Sequence, residues 1–213
     1  MTFDSLIDRL SRDLKPVRAR HSSRELCIIA AVCIVEMIVF FALGAALPDM
    51  PMRMHQPTFW WRLVSLGLVA VISGVPAILS FSPTYSPRRR LRWVIIAIGA
   101  CLLAGLCISA APYDTKSLIS RINWTNGIQC AGKMIALSAP PVLGLGALMR
   151  RGAPTDGKGT AFLVGIAGAA WGAFVFVFAC PFNDPLYIAV WYSIGCGIVV
   201  LVSRATLPRL SRW

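Results

Sequence analysis

Long apolar runs, separated by short polar and charged segments, follow a polar stretch of about two dozen residues at the start of the chain. Six runs are 17 to 22 residues long, close to the roughly 20 residues that a helix needs to cross a bilayer. They lack the period-two alternation of membrane barrel strands. The pattern therefore predicts six transmembrane helices, near residues 27–47, 59–80, 93–111, 128–149, 160–179 and 186–202.

The composition supports a membrane protein rather than a soluble domain. Hydrophobic residues make up 57% of the chain and charged residues only 14%, whereas a soluble domain is roughly 25% charged. The expected fold class is an all-α integral membrane protein with two parts. Residues 1–24 form a polar tail, and residues 25–213 form a six-helix transmembrane bundle.

The distribution of Lys and Arg predicts how the bundle is oriented. Sixteen of these residues fall in the tail, in the loops after the second and fourth helices and at the C-terminus, and five fall on the other side. Because basic residues accumulate in cytoplasmic segments, both termini are expected in the cytoplasm. This bias also accounts for the net charge of +12 without invoking nucleic acid.

The tail has the pattern of a short amphipathic helix. Phe3, Ile7, Leu10 and Leu14 fall on one helical face, and Pro16 is expected to end the helix. Such a short helix is marginal alone in water and needs a surface to lie on. Two interpretations remain open, namely an interfacial helix on the membrane and a docking helix for a partner protein.

Two of the seven cysteines occupy equivalent heights in the predicted bundle. Cys130 and Cys180 lie 19 and 20 residues from the inner ends of the fourth and fifth helices, which form a hairpin. At ~1.5 Å per residue, both thiols climb about 28–30 Å to the outer surface. A disulfide or a shared metal ion is therefore geometrically reachable. The alternative is two unrelated cysteines at the membrane boundary.

Other functional classes have weaker support. Glu36 and Lys133 lie within predicted spans and Pro140-Pro141 is expected to break the fourth helix, which suggests a small transporter or channel as the alternative function. A thiol oxidoreductase is disfavoured because no C-x-x-C motif is present. The Gly-rich segment 152–160 lacks the preceding strand of a phosphate-binding loop. Since no Ser-His-Asp set or paired catalytic carboxylates occur, the chain is not expected to be an enzyme.

An ordered set of motifs along nearly the whole chain resembles the NrsF-type membrane anti-sigma factors, which are negative regulators of a sigma-F-like extracytoplasmic-function sigma factor. The motifs are the opening segment 6–18, Cys130 followed by Ser-Ala-Pro-Pro at 138–141, the segment 150–155, Cys-Pro-Phe-Asn-Asp at 180–184, Trp191-Tyr192 and the terminal Arg212-Trp213.

The resemblance implies a location in the bacterial inner membrane and a tail that binds the sigma factor. The implied binding residues are Phe3, Leu6, Ile7, Leu10, Asp13, Leu14, Pro16 and Val17. It also implies that Cys130 and Cys180 sense heavy metal or oxidative stress, which would make them the metal ligands. No cofactor is expected to be required, although a heavy-metal ion could bind transiently. No direct contact with nucleic acid and no role for the other five cysteines are expected.

Overall fold

Seven helices make up most of the computed structural model, which describes residues 21–83, 85–109 and 124–210. Every described helix except the short α2 is long and apolar enough to cross a membrane, which agrees with the six predicted spans. The helices are α1 (Ser22–Ala42), α2 (Met50–Arg53), α3 (Pro57–Leu79), α4 (Arg88–Ser109), α5 (Trp124–Arg150), α6 (Gly157–Phe176) and α7 (Pro185–Leu210).

The ends of several spans differ from the predicted ends. The first helix ends at Ala42 rather than at residue 47, because Gly44 has a φ of +65° and turns the chain. Helix α4, the third predicted span, begins at Arg88 rather than at residue 93. Helix α7, the sixth predicted span, continues beyond residue 202 to Leu210. An apolar run marks the part of a helix that suits lipid, whereas its backbone hydrogen bonds continue into polar sequence.

The expected break at Pro140-Pro141 was wrong. The structure keeps α5 helical from Trp124 to Arg150 through both prolines, as it keeps α3 helical through Pro76. Membrane helices tolerate proline because neighbouring helices and local adjustment of the backbone satisfy the freed carbonyl groups.

The central helix is α6, which packs against α3, α5 and α7. Its small residues permit the close approach of the neighbouring helices. Gly168 and Gly172 face Val142 and Ser138 of α5, and Gly165 faces Val200 of α7. In contrast, α1 and α4 lie at the periphery and expose most of their apolar surface.

The bundle has two chemically different ends. We call the end where α5 begins and α6 ends the thiol end, because it contains Cys130 and Cys180. The opposite end, where α4 begins and α5 ends, is the arginine end. Nine arginines of the described residues are exposed there: Arg24, Arg88, Arg89, Arg90, Arg92, Arg150, Arg151, Arg204 and Arg209.

Candidate thiol site

Two cysteines meet at the thiol end of the bundle. Cys130 lies in the second turn of α5, and Cys180 lies in the segment that joins α6 to α7. Their side chains are 6% and 1% exposed, and the two free thiols share a side-chain hydrogen bond. The structure thus brings together the two cysteines that were placed at equal height by counting residues along the helices.

Aromatic side chains enclose the two sulfur atoms. The hydroxyl of Tyr187 donates to the Sγ of Cys130 at 3.5 Å, and the ring of Tyr187 lies 4.5 Å from that of Phe182. The buried hydroxyl of Tyr192 faces Cys180 without forming a hydrogen bond of normal geometry. These rings shield the thiols from bulk water, so that only small reagents can reach them without a movement of the protein.

A buried arginine fixes the segment that contains Cys180. Arg62 lies on α3 and is only 1% exposed. Its guanidinium donates to the carbonyl of Phe182 at 3.1 Å and to the Oδ1 of Asn183 at 3.0 Å. From the other side, Arg53 donates to the carbonyl of Pro181 at 2.8 Å. Two cations therefore bind the three residues that directly follow Cys180.

The surroundings make the two thiols chemically unequal. The hydrogen bond from Cys130, assisted by the positive charge of Arg62, lowers the pKa of Cys180 to about 6 despite its burial. A thiol with this pKa is roughly nine-tenths thiolate at pH 7. Because the thiolate is the nucleophile and the metal ligand, Cys180 is the member of the pair whose surroundings favour that form.

The two thiols do not form a complete metal site by themselves. Within residues 21–83, 85–109 and 124–210, no three His, Cys, Asp or Glu side chains lie close enough together to hold a metal ion. Asp184, a candidate third ligand, instead accepts a hydrogen bond from the backbone N–H of Leu186 at 3.0 Å at the start of α7. The arrangement suits a disulfide, while a bridging soft metal would need ligands from elsewhere.

In the sequence, Arg53 and Arg62 are two of the five basic residues on the predicted non-cytoplasmic side of the membrane, and no role was predicted for either. A signal was present, because Arg62 lies inside a predicted apolar span, where a charged side chain is costly and usually has a specific partner. Tyr187 carried no comparable signal, since tyrosine is common near the ends of membrane helices.

The intramembrane charges at Glu36 and Lys133 do not outline a polar pathway. Glu36 accepts a hydrogen bond from the Nε1 of Trp171 at 3.0 Å, while the side chain of Lys133 is exposed. Both residues line a cavity of about 1060 Å³ whose other lining residues are apolar. A second cavity of about 490 Å³ between α3, α4, α6 and α7 is also mainly apolar.

The predicted sigma-factor-binding residues lie outside the described part of the chain. Phe3, Leu6, Ile7, Leu10, Asp13, Leu14, Pro16 and Val17 all fall within residues 1–20. Their role stays a prediction.

Comparison with known proteins gives a consistent result. The family described as "NrsF: Negative regulator of sigma F" matches residues 10–213. The chain is also similar to the anti-sigma-F factor NrsF of Caulobacter vibrioides (strain NA1000 / CB15N), with 27% identity over 218 residues and full coverage of both chains. No solved structure matches it. Since the family match extends over nearly the whole chain, this protein belongs to the NrsF family of negative regulators of sigma F and is a regulator rather than an enzyme.

Proposed function

We propose that this chain is an anti-sigma factor of the inner membrane that holds an extracytoplasmic-function sigma factor through its N-terminal tail. Oxidation of Cys130 and Cys180, or their bridging by a heavy-metal ion, releases the sigma factor. The observation that carries this proposal is the buried pair of unequal thiols in a member of a sigma-factor regulator family. The pair provides a chemical trigger, and the family implies a sigma factor as partner.

The proposal requires the arginine end to face the cytoplasm. The nine exposed arginines of that end support this orientation, because basic residues are retained on the cytoplasmic side of a membrane. Alkaline phosphatase fused after Leu210 is expected to be inactive, whereas the same enzyme inserted between α2 and α3 is expected to be active. The opposite pattern would contradict the orientation.

The tail is proposed to bind the sigma factor through its apolar face. The family match begins at residue 10 and therefore includes Leu10 and Leu14. Deletion of residues 1–20 is expected to abolish co-purification of the sigma factor with the full membrane protein. Leu10→Asp with Leu14→Asp should have the same effect, whereas Ser5→Asp, on the opposite side of the predicted helix, should retain binding. Retained binding after the deletion would refute the docking role.

The chemical step at the thiol site is proposed to be disulfide formation. The Cys180 thiolate attacks one oxygen of hydrogen peroxide and becomes a sulfenic acid as the O–O bond breaks, and the other oxygen leaves as hydroxide and takes up a proton to form water. The thiol of Cys130 then attacks this sulfur and releases water, so that two thiols lose two electrons to the peroxide. A disulfide persists after denaturation in acid with a chelator, whereas a metal bridge does not, which separates the two stimuli.

Substitution of the two cysteines tests the trigger. Cys130→Ser and Cys180→Ser, singly and together, are expected to abolish stress-induced transcription by the sigma factor. Cys196→Ser is the matched control, because Cys196 packs against the same apolar cluster but has no proposed role. An unchanged response in the double variant would remove the pair as the sensor.

A further inference from the structure

The peripheral helix α1 is the physical connection between the tail and the bundle. It begins at Ser22, within the last residues of the predicted tail (1–24), and ends at Ala42 at the thiol end. Along its length it contacts the other helices at three separate heights. Ile29 packs over Gly144 of α5, Glu36 bonds to Trp171 of α6, and the ring of Phe41 meets that of Phe178.

The uppermost contact joins α1 to the segment that contains the reactive thiol. Phe178 precedes Cys180 by two residues, and its ring lies 5.4 Å from that of Phe41 and 6.2 Å from that of Phe59. The carbonyl of Phe178 also accepts a hydrogen bond from the backbone N–H of Leu47 at 3.0 Å. The segment that contains Cys180 is therefore in direct contact with the end of α1 and with the residues that follow it.

The middle contact is polar and lies in otherwise apolar surroundings. Glu36 accepts from the indole N–H of Trp171 at 3.0 Å, and its other oxygen is buried without a hydrogen-bond partner among the described residues. The ring of Trp171 stacks on Phe174 at 5.3 Å, and Phe174 in turn contacts Phe178 at 6.1 Å. This row of aromatic rings connects the hydrogen bond to the thiol segment.

The packing beside α1 leaves space for it to move. The cavity of about 1060 Å³ lies between α1 and α5 and extends from Ile28 to Leu43 along α1. Close-packed interiors have few voids much larger than a water molecule, and helices in them cannot shift without clashes. Here an open apolar groove follows one side of α1, so that side of the helix is not closely packed against the bundle.

We propose that α1 carries the signal across the membrane, with Phe178 as the input contact and the Glu36–Trp171 hydrogen bond as the latch that holds α1 in register with the bundle. This inference rests on the proposed function, because it assumes that the state of the thiol pair controls the tail. A disulfide brings the two sulfurs to about 2.05 Å, far closer than hydrogen-bonded thiols. The Cys180 segment must move to form it, and Phe178 displaces the end of α1.

The latch is tested with substitutions that remove one hydrogen-bonding group at a time in the full-length membrane protein. Trp171→Phe removes the donor but keeps an aromatic ring, Glu36→Leu removes the acceptor, and Glu36→Gln keeps an acceptor oxygen. Trp60→Phe is the matched control, because the indole of Trp60 makes a comparable bond of 2.8 Å to the carbonyl of Met54 outside α1. The readouts are sigma-factor-dependent transcription with and without oxidant, the extent of disulfide formation, and the amount of protein in the membrane.

Trp171→Phe and Glu36→Leu are expected to lower the ratio of induced to uninduced transcription at least about fivefold, the lower range of an allosteric coupling. The Cys130–Cys180 disulfide should form as in the unaltered protein. Glu36→Gln and Trp60→Phe should retain the full ratio, and the double variant of Trp171 and Glu36 should be no worse than either single one.

The possible failures are distinguishable. If Cys130→Ser with Cys180→Ser leaves the response unchanged, the proposed function itself is refuted. If the cysteines are required but Trp171→Phe and Glu36→Leu respond fully, α1 is not held by this latch and the inference is overturned. A loss of the ratio in Glu36→Gln as well would also overturn it, because the hydrogen bond would then not be the decisive interaction.

Discussion

The inequality of the two thiols leads to a quantitative prediction about the protonation of Cys180. Cys130→Ala removes the hydrogen bond that contributes most to the lowered pKa of Cys180, and Arg62→Gln removes the positive charge that assists it. Both changes are expected to move the pKa of Cys180 upward from about 6. Cys130→Ser retains a hydroxyl donor and Arg62→Lys retains the charge, so these two variants should keep the pKa low.

The size of the effect follows from the fraction of thiolate. With a pKa of about 6, Cys180 is roughly 90% thiolate at pH 7. A thiol with the ordinary pKa of about 8.5 is roughly 3% thiolate at that pH, so a complete loss of stabilisation lowers the reactive form about 30-fold. In the unaltered protein the thiolate is present above about pH 6 and is lost as the pH falls through that value.

The ultraviolet absorbance of the thiolate measures this protonation without requiring a reagent to reach the buried sulfur. Purified protein is titrated from about pH 4 to about pH 8.5, and the spectrum of the Cys180→Ser variant is subtracted. A midpoint near 6 is expected for the unaltered protein, and higher midpoints are expected for Cys130→Ala and Arg62→Gln. The rate of disulfide formation with peroxide should follow the same midpoints, because the thiolate is the attacking species.

Arg53→Gln provides the matched control for Arg62→Gln. Arg53 donates to Pro181 and Asn183 of the same segment, but the cation that lowers the pKa of Cys180 is Arg62. Its substitution should therefore leave the midpoint unchanged. Equal midpoints in Arg62→Gln, Arg53→Gln and the unaltered protein would refute the electrostatic role of Arg62. A midpoint above about 8 in the unaltered protein would refute the inequality of the thiols.

Two further predictions concern stability and are measured by thermal unfolding in detergent. Gly172→Ala places a Cβ about 2.6 Å from the backbone nitrogen of Ser138, so we expect a loss of about 1–3 kcal/mol. In Gly132→Ala the Cβ meets open space, so equal midpoints for the two variants would contradict the close helix contact. Asp156→Ala removes a cap that accepts an N–H of α6 at 2.9 Å, and we expect a loss of about 0.5–2 kcal/mol. Arg88→Ala removes only the exposed ion pair with Asp156 and should lower the free energy of unfolding by less than about 1 kcal/mol. If Arg88→Ala and Asp156→Ala lose equal stability, the loss comes from the ion pair and not from the helix cap.

The number of membrane spans was predictable from the sequence because the lipid bilayer, and not water, surrounds the apolar runs. Each apolar run must lie in lipid, and lipid permits only structures that satisfy all of their backbone hydrogen bonds internally. The ends were less predictable, because a helix continues wherever its backbone geometry allows. The arginines from Arg88 to Arg92 therefore lie inside α4, and the last helix continues to Leu210, whereas Gly44 ends α1 soon after Ala42.

The meeting of Cys130 and Cys180 was predictable for a different reason. The rise per residue of a helix is constant, so a count of residues along two antiparallel helices gives two heights that can be compared. Height alone does not tell which face of a helix carries a residue or which helices are neighbours. The contacts of Arg62 with Phe182 and Asn183, about 120 positions away in the chain, therefore could not be derived from the sequence.

The same distinction explains why the proposed route of the signal became visible only in three dimensions. Glu36 and Trp171 are 135 positions apart, and the unusual charge of Glu36 within a span does not reveal its partner. Their hydrogen bond is a candidate for signal transmission because α1 is mostly exposed, borders a large open groove and follows the tail in the chain. A helix that is packed on only part of its surface can change its position when one contact moves. A helix such as α6, which is buried over most of its length, has no space in which to shift. Cys180 lies two residues after Phe178, where the segment that follows α6 meets the end of α1, and this proximity is why we propose α1 as the route from the thiol pair to the tail.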